Sequence, residues 1–269
     1  MKTLVIYCTH TLNNELKHFI DHGYFVSDCV DFFICLNGDF DVDRYKVDSK
    51  KMSLIFYKRP NVGHDFGGWG EILLMDKLYE HYDYFVLLNG TCLGPFLPVY
   101  VKQTWVELFT SMITNTVKLI GPTINHYQGK PHVQSYCMCT DRVGMQIGLD
   151  AGIFTVDEGQ SKLQIIEGKE VGFSLKIMEA GYNIGCLLKA YDGVDFRKMV
   201  GVSSLNLPFG SMNGTGNRHM DPCKDTGYYM INFHPYEVIF FKSNRDIARA
   251  VINKYCQFHN RVCLPKNII

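Results

Sequence analysis

The chain has 269 residues, of which 46% are hydrophobic, so it can bury the core of one large domain or two small ones. Lysine plus arginine and aspartate plus glutamate number 27 each, so no net charge recruits nucleic acid or an anionic membrane. The ten cysteines are dispersed along the chain, and we find no secretory signal in the sequence. No apolar run approaches the length of a membrane span, about 20 residues. Together these features favour a reducing, cytoplasmic setting without disulfides.

The first predicted element is a strand from Thr3 to Tyr7, a run of apolar and β-branched residues. A polar loop that contains Thr9 and His10 follows, and then an amphipathic helix from about Asn14 to His22. A strand, a loop and a helix in this order form the first unit of a nucleotide-binding α/β fold. The next strand is predicted from Asp31 to Leu36.

Two short patterns look like metal sites but fit ordinary structure better. The second strand ends in Asn37 to Asp43, where aspartates alternate, yet Arg44 and Tyr45 break the calcium-loop pattern, so we expect a solvated turn. Cys137 and Cys139 lack the two-residue spacer of a zinc knuckle and have no partner pair. We therefore expect both thiols at strand or core positions.

The most distinctive segment is Arg59 to Gly70, which contains four glycines within eight residues. It follows an apolar run from Met52 to Tyr57 and precedes a helical pattern from Glu71 to Tyr79, which predicts a strand, a glycine-rich turn and a helix start. Such a turn lets a ligand approach the main chain, and its arginine, asparagine and aspartate suit a nucleotide. A tight surface turn with a capping aspartate fits the spacing equally well.

A fully apolar run from Tyr82 to Leu88 ends abruptly at Asn89 to Thr91. Buried parallel strands have this composition, and ligands of open α/β sheets lie at the carboxyl ends of strands, so these small polar residues are candidates for the floor of a site. A helix is expected around Tyr100 to Thr114 and a strand from Val117 to Ile120. A loop rich in polar side chains follows, from Asn125 to Ser135.

A later helix is predicted to begin near Glu170 and to end at Gly181, before a strand from Ile184 to Leu188. Three apolar residues spaced along one helical face support it. In the first turn, the helix dipole favours the ionised form of Glu170, which keeps the carboxylate available as a proton acceptor. A charge–dipole pair on a surface helix is the simpler alternative.

The C-terminal part has two further features. Residues Gly210 to Asp225 form a predicted loop rich in glycine, asparagine and cationic side chains, of the kind that closes over ligands. Beyond it, His234, Lys242 and Arg245 are expected around an apolar strand. No repeat or linker interrupts the sequence, so we expect a single domain, residues 1–269. Its first part, about 1–98, would bind a nucleotide sugar and its second part, 99–269, an acceptor.

Three motifs carry a resemblance to GT-A glycosyltransferases. They are Asn61-x-Gly-x-Asp65-Phe-Gly-Gly-Trp69, the segment Asn89 to Pro98 with its Gly-Pro-Phe-Leu-Pro, and His234-Pro-x-Glu-Val-Ile-Phe-Phe-Lys242. The run from Glu170 to Tyr182 is similar to the Glu-Asp helix of that family. Together these motifs resemble glycosyltransferases of algae, fungi and large algal DNA viruses, in particular the enzymes of chloroviruses that build the capsid glycan, a β-xylosyltransferase among them. The resemblance spans roughly Thr3 to Arg245.

The resemblance implies an α/β, GT-A-like fold: a Rossmann-like nucleotide-binding half with a mixed, mostly parallel central sheet, plus an acceptor-binding half. It implies inverting transfer of a sugar, with UDP-xylose as the expected donor, to a hydroxyl of an oligosaccharide or glycoprotein acceptor, in the host cytoplasm if the protein is viral. The implied base is Glu170, with Asp157 and Glu158 as reserve candidates. The expected nucleotide-sugar-binding residues are Thr9, His10, Arg59, Asn61, Gly63, Asp65, Asn89, Gly90 and Thr91. The residues expected at the leaving group or acceptor are His132, Gln134, Arg218, His219, His234 and Lys242.

The chain departs from the family pattern at the metal site. GT-A enzymes normally present an Asp-x-Asp motif at a strand end to Mn²⁺ or Mg²⁺, which neutralises the departing diphosphate, whereas this chain has Asn89-Gly90-Thr91. The resemblance leaves either ion possible, but the sequence supplies no metal ligands there, so we expect a metal-independent enzyme. A cation such as Arg59, Arg245 or Lys242, together with main-chain amides, would then compensate the leaving-group charge.

Two alternatives from other classes stay open. The chain could be a catalytically silent carbohydrate-binding or scaffold protein, against which the intact Glu170 helix argues. It could also be another nucleotide-dependent transferase that moves a nucleotidyl or phosphoryl group. That class expects paired metal carboxylates or a Gly-Lys-Ser/Thr phosphate loop at a strand end, and neither is present in the sequence.

Overall fold

The computed structural model describes residues 1–40, 54–156, 159–203, 219–229, 231–245, 247 and 249–262. The strands are β1 (Thr3–Thr9), β2 (Val30–Asn37), β3 (Leu54–Arg59), β4 (Tyr84–Asn89), β5 (Cys92–Leu93), β6 (Val117–Gly121), β7 (Ile124–Tyr127), β8 (Lys130–Val133), β9 (Cys137–Asp141), β10 (Asn183–Cys186), β11 (His219–Met220) and β12 (Phe241–Lys242). The α-helices are α1 (Asn14–His18), α2 (His64–Leu74), α3 (Trp105–Ser111), α4 (Arg142–Asp150), α5 (Lys162–Ile165), α6 (Gly172–Glu179), α7 (Pro235–Val238) and α8 (Arg249–Val262). Two π-helical segments are Phe19–Gly23 and Ile166–Val171, and three 3-10 segments are Met75–His81, Lys189–Tyr191 and Phe196–Met199.

A seven-stranded sheet forms the centre of the protein, in the order β10-β6-β9-β4-β1-β2-β3. The strands β4, β1, β2 and β3 run parallel, β10 is parallel to β6, and β9 is antiparallel to both of its neighbours. A three-stranded sheet (β11-β7-β8) and a two-stranded one (β12-β5) lie outside it. This architecture confirms the predicted α/β class with a mixed, mostly parallel central sheet.

The central strands are apolar on both faces because helices and loops cover both sides of the sheet. All seven residues of β1 are buried, as are five of the six in β4, which is the burial expected of parallel strands. Cys137 and Cys139 lie buried in β9, as predicted. The ring of Trp105 joins distant parts of the chain: it packs 5.1 Å from the Phe240 ring, and its Nε1 donates a hydrogen bond of 2.7 Å to the Gly23 carbonyl.

The glycine-rich turn predicted between Arg59 and Glu71 is shorter than expected. The helix α2 begins at His64, seven residues before the predicted helix start at Glu71. Gly63 caps its start in the left-handed region, at φ 71°. The later glycines lie inside the helix and allow it to approach the sheet closely. A Cβ on Gly68 would lie 2.5 Å from Cys8 Sγ, a separation that real Cβ atoms do not show. Close packing therefore offsets the helix penalty of about 1 kcal/mol that each glycine carries.

Other boundaries also differ from the sequence predictions. The segment around Glu170 lies in the middle of a continuous helical run of α5, the π-helical segment and α6, so the residue is not in a first turn. The apolar strand expected after Phe233 is short, because Pro235 begins α7 and only β12 is extended. The predicted end at Gly181 is confirmed: its φ is 90° and its amide donates to the Met178 carbonyl.

Two sequence expectations lie outside the described residues. The aspartate-rich turn continues into residues 41–53, and most of the glycine-rich loop falls within residues 204–218. Among the described residues, none of the helices combines the length and the apolar character that crossing a bilayer requires.

The substitution Gly70→Ala tests the close packing of α2. Its Cβ would lie 1.9 Å from the Phe154 carbonyl oxygen, a main-chain atom that cannot rotate away. We expect the free energy of unfolding to fall by about 1–3 kcal/mol in urea denaturation. Gly168→Ala is the matched control, because no heavy atom lies within 4 Å of a Cβ there. Because alanine is the better helix former, the control should keep or gain stability, and a loss there as large as that in Gly70→Ala would show that close packing is not the cause.

Candidate active site at the carboxyl edge of the sheet

The carboxyl ends of three adjacent parallel strands meet at one edge of the sheet. They end at Thr9, Asn37 and Asn89, and the register aligns Cys8 of β1 with Asn89 of β4. Because β9 runs antiparallel beside β4, its beginning lies at the same edge, where the Asn89 amide donates to the Tyr136 carbonyl. In open α/β sheets this edge is where ligands bind.

The turn after β4 is built around the Asn89 side chain. Its Oδ1 accepts hydrogen bonds from the Thr91 amide, at 3.0 Å, and the Thr91 hydroxyl, at 2.7 Å. Its Nδ2 donates to Asp65 Oδ2 at 2.9 Å. Gly90 packs against the end of β1, where a Cβ would lie 2.5 Å from Thr9 Oγ1. One amide side chain thus fixes both the turn and the carboxylate at the start of α2.

Asp65 is a partly exposed carboxylate in a crowded setting. Burial raises the pKa of Asp65 to about 6, the Asn89 hydrogen bond and the charge of Lys242 act against this rise, and the negative charge of Glu170 adds to it. A carboxyl group with such a pKa is half-protonated at about pH 6, and perturbed pKa values of this kind are typical of functional sites.

Arg59 is engaged with the protein's own groups. The side chain is buried, its Nε donates to Glu71 Oε2 at 2.6 Å, and its Nη1 donates to Asn37 Oδ1 at 2.8 Å and to the Val62 carbonyl at 3.0 Å. These contacts hold the segment before α2 against the end of β2. Arg59 therefore positions this edge of the sheet, and its contact with a nucleotide or diphosphate stays a prediction.

Glu170 reaches the same edge from the π-helical segment. Its Oε2 accepts hydrogen bonds from the Ser135 amide, at 3.0 Å, and from the Ser135 hydroxyl, while Oε1 lies 3.7 Å from His132 Nε2. Burial raises the pKa of Glu170, but Lys242, His132 and Ser135 together outweigh burial, so its pKa lies below the ordinary value. These contacts support the expectation that Glu170 is ionised. The cause predicted from the sequence, a helix dipole at the first turn, is wrong.

His132 and Lys242 are nitrogen bases whose charges act on Glu170. Burial lowers the pKa of His132 more strongly than the Glu170 charge raises it, so the imidazole is neutral near pH 7. Its Nδ1 lies 3.0 Å from the Lys130 carbonyl oxygen. Lys242 is half-buried, its Nζ lies 5.9 Å from the centre of the Tyr136 ring, and its charge lowers the pKa of both Asp65 and Glu170. The ammonium group therefore lies within electrostatic reach of both carboxylates.

A second polar network stands next to this group and was not predicted from sequence. Gln134 accepts a hydrogen bond of 2.7 Å from the Thr123 hydroxyl and donates one of 3.1 Å to Asp221 Oδ1. Asp221 Oδ2 lies 3.3 Å from Arg245 Nε, and its Oδ1 also accepts from the Cys223 amide. These contacts join residues far apart in the chain, and no local sequence pattern indicates Asp221.

The structure brings together nine of the predicted site residues: Thr9, Asp65, Asn89, Gly90, Thr91, His132, Gln134, Glu170 and Lys242. His10 and Asn61 are exposed in loops, and Gly63 caps α2. His234 instead caps α7 and contacts the Tyr255 hydroxyl. His219 pairs with Tyr127 through its backbone in β11. Asp157, Glu158 and Arg218 lie outside the described residues.

Comparison with protein families identifies the chain. The family model described as rhamnan synthesis protein F matches residues 33–200. The chain belongs to the rhamnan synthesis protein F family. The match runs from within β2 to just beyond the last 3-10 segment, so the family region contains Asp65, Asn89 and Glu170 but neither Thr9 nor Lys242. A search of curated proteins gave no match.

Two solved structures are similar to this member of the rhamnan synthesis protein F family. A putative glucose-1-phosphate thymidylyltransferase from Bacillus anthracis, solved in complex with a sucrose, is 12% identical, with a TM-score of 0.39 over 68% of this chain and 85% of that one. A cytidylyltransferase from Leptospira borgpetersenii serovar Hardjo-bovis is 11% identical, with a TM-score of 0.37 over 100% of this chain and 99% of that one.

The donor atoms beside Asn89 differ from those of an Asp-x-Asp metal site. Asp65 offers one partly exposed carboxylate, while Glu170 and Asp221 are held by Ser135 and Arg245. Within the described ranges, one place brings three imidazole, thiol or carboxylate groups close enough together to share an ion. It lies on α1, its π-helical continuation and α8. The strand end of this rhamnan synthesis protein F member thus lacks, among the described residues, a ready three-ligand site for Mn²⁺ or Mg²⁺.

The raised pKa of Asp65 predicts a stability change with a defined sign. Between about pH 4 and pH 6 the folded state keeps the proton that the unfolded state loses. Stability from this group is therefore complete below about pH 4 and is lost as the pH rises through 6. Asp65→Asn keeps an acceptor for Asn89 and avoids the loss, so its free energy of unfolding at about pH 7.5 should exceed the wild-type value by about 1–3 kcal/mol.

Urea denaturation across this pH range measures the effect. The gain should disappear at about pH 4, and Asp28→Asn, at an exposed position, should show no gain at either pH. An Asp65→Asn protein that is less stable than wild type at neutral pH would show that the carboxylate stabilises the fold.

Proposed function

We propose that this protein is an inverting glycosyltransferase that moves a sugar from a nucleoside diphosphate sugar to a hydroxyl group of a glycan acceptor. The observation that carries the proposal is Glu170, an ionised carboxylate that is hydrogen-bonded by Ser135 and lies within reach of the Lys242 charge at the carboxyl edge of the sheet. Membership of a family named for rhamnan synthesis supports a transferase that uses a nucleotide sugar in glycan assembly.

The first part of the chain supplies the donor site in this proposal. Asp65 can accept hydrogen bonds from a ribose or a base, because Oδ2 is held by Asn89 while the group stays partly exposed. Gly90 and Thr91 present main-chain atoms beside it, and Thr9 lines the neighbouring strand end. The acceptor-side groups Glu170, His132 and Lys242 come from the second part, which fits the proposed division at about residue 98.

Glu170 is the proposed base. The acceptor hydroxyl gives its proton to Glu170 as its oxygen bonds to the anomeric carbon, and the bond from that carbon to the diphosphate oxygen breaks with its electron pair. Oε2 is occupied by Ser135, whereas Oε1 is 3.7 Å from His132, beyond hydrogen-bond length, and has lone pairs for the acceptor. Asp65 is the second candidate, because a base with a pKa of about 6 is stronger.

Lys242 is the proposed counter-charge for the leaving diphosphate. It lies among the carboxylates of this edge, half-buried above the Tyr136 ring, where a low dielectric strengthens its interaction with phosphate. Arg59 is engaged by Glu71 and Arg245 by Asp221. With Lys242 as the counter-charge, sugar transfer needs no metal ion. The alternative source of positive charge is Mn²⁺ or Mg²⁺.

We propose two candidates for the donor sugar. Xylose from UDP-xylose follows from the resemblance to chlorovirus glycosyltransferases, and a nucleoside diphosphate rhamnose follows from the name of the family. A capsid glycan as the product and a cytoplasmic location are further predictions from the resemblance. A thermal-shift panel of UDP-, GDP- and dTDP-sugars distinguishes the donors, because a bound donor raises the melting temperature by mass action.

Glu170→Gln tests the base. The amide keeps an acceptor for Ser135 but cannot take a proton, so we expect donor affinity in calorimetry to stay within about threefold while transfer falls by about 10²–10⁴-fold. Glu167→Gln, an exposed change in the same π-helical segment, is the control and should leave turnover unchanged. Near-normal turnover of Glu170→Gln would remove Glu170 from this role, and loss in Asp65→Asn at unchanged donor affinity would transfer the role to Asp65.

Lys242→Gln tests the counter-charge. Removing a charged partner of phosphate should weaken binding of the nucleoside diphosphate by about 10–100-fold, while binding of the nucleoside alone stays unchanged. Lys189→Gln, at an exposed position, is the control. We also expect full transfer activity in excess EDTA. Activity that is lost in EDTA and restored by Mn²⁺ alone would assign the counter-charge to the metal.

A further inference from the structure

Three histidines from opposite ends of the chain meet beside the first helix. His18 ends α1, His22 lies four residues later in the π-helical continuation, and His259 lies near the end of α8. The ring centres are 4.5 Å apart for His18 and His22, 5.0 Å for His22 and His259, and 5.5 Å for His18 and His259. One nitrogen from each ring lies within 4.8 Å of the others.

Two of these imidazoles carry buried nitrogens that the fold leaves without a partner. His18 and His259 are only 6% and 4% exposed, and among the described residues His18 Nε2 and His259 Nδ1 have no hydrogen-bond partner. A buried polar atom without a partner costs about 1–3 kcal/mol. Such a cost is unusual in a native core and calls for a ligand or another explanation.

The tautomer of His18 favours a metal ligand. His18 makes a backbone hydrogen bond at Pro95. Because Nε2 has no partner, we assign this bond to Nδ1 as the donor. The proton is then on Nδ1, and Nε2 keeps a lone pair that is available to a ligand. Metal-bound histidines are commonly oriented in this way, by a carbonyl that accepts from the second ring nitrogen.

We propose that His18, His22 and His259 form a binding site for a divalent transition metal ion, with zinc as the fitting class. Imidazole nitrogens favour Zn²⁺ over Mg²⁺ or Ca²⁺, which prefer oxygen ligands. Side chains four residues apart lie on one helical face, which brings the first two together. His22 is half-buried, so a water molecule can reach the fourth position of a tetrahedral site.

The geometry requires only small side-chain movements. Three atoms at most 4.8 Å apart lie within about 2.8 Å of their centre, and Zn–N bonds are about 2.0–2.1 Å long. Each nitrogen would therefore move by less than about 1 Å. The Phe96 ring packs 5.1 Å from His18 and 5.2 Å from His259, so it limits other rotamers of these two side chains.

A metal at this site would attach the C-terminal helix to the first helix of the chain. The segment between His22 and His259 includes six of the seven strands of the central sheet, so one ion closes a long loop and restricts the unfolded chain. The Asn13 side chain caps α1 and donates a hydrogen bond of 2.6 Å to the Gly90 carbonyl. The helix that carries His18 is thus also attached to the turn after β4.

Titration of the full-length, tag-free protein with ZnCl₂ after chelator treatment tests the site. We expect one zinc ion per chain in calorimetry and, at about 100 times the dissociation constant, a rise in melting temperature of about 5–10 °C. Co²⁺ should give the visible absorption of a four-coordinate nitrogen site. His22→Gln and His259→Ala should each lose the zinc-dependent shift and the cobalt spectrum, and His81→Ala, which removes an exposed histidine elsewhere, should keep both.

Three outcomes would overturn the proposal. These are the absence of zinc binding to the wild-type protein, wild-type zinc affinity in both site variants, and loss of binding in His81→Ala. Circular dichroism of the metal-free proteins shows whether each variant is folded. If His259→Ala is unfolded, the half-buried His22→Gln change alone decides, because either retention or loss of the cobalt spectrum answers the question.

Discussion

The close approach of α2 to the central sheet is the constraint on which the rest of the site depends. Gly68 lies against the sulfurs of Cys8 and Cys35, and Gly70 lies against the Phe154 carbonyl, so any side chain at either position would push the helix outward. The first turn of that helix carries Asp65. Because the helix is so close, Asp65 reaches the Asn89 amide at the end of β4. Backbone packing in the core therefore sets the position of a half-buried carboxylate at the edge of the sheet.

The electrostatics of this edge depend on two carboxyl groups, those of Asp65 and Glu170, that share the positive charge of Lys242. Burial raises the pKa of both groups, but at Glu170 the interactions with Lys242, His132 and Ser135 outweigh burial, whereas at Asp65 the negative charge of Glu170 adds to it. The two carboxyl groups therefore have pKa values moved in opposite directions. Such a separation of neighbouring acids is the arrangement by which enzymes divide proton-accepting and binding roles.

The sequence predicted the strands well because buried parallel strands are continuous apolar runs that end at polar residues, as β1 and β4 do. It also predicted that the fourth strand ends at Asn89, as β4 does. It failed where tertiary contact overrides local preference. The glycines of α2 looked like a turn, since nothing in the sequence reveals that the sulfurs of two strands lie beneath them. The links from Gln134 to Asp221 and from Asp221 to Arg245 are equally invisible to local patterns.

The π-helical segment Ile166–Val171 has a consequence for how this protein tolerates change in length. A π-helical turn holds one more residue than an α-helical turn, and it rotates all that follows relative to what precedes it. Deleting a single residue between Glu167 and Lys169 would restore regular winding and move the Glu170 carboxylate away from Ser135, although every residue of the site would still be present. The winding of this helix therefore sets the position of the Glu170 carboxylate as much as the identity of the residue does.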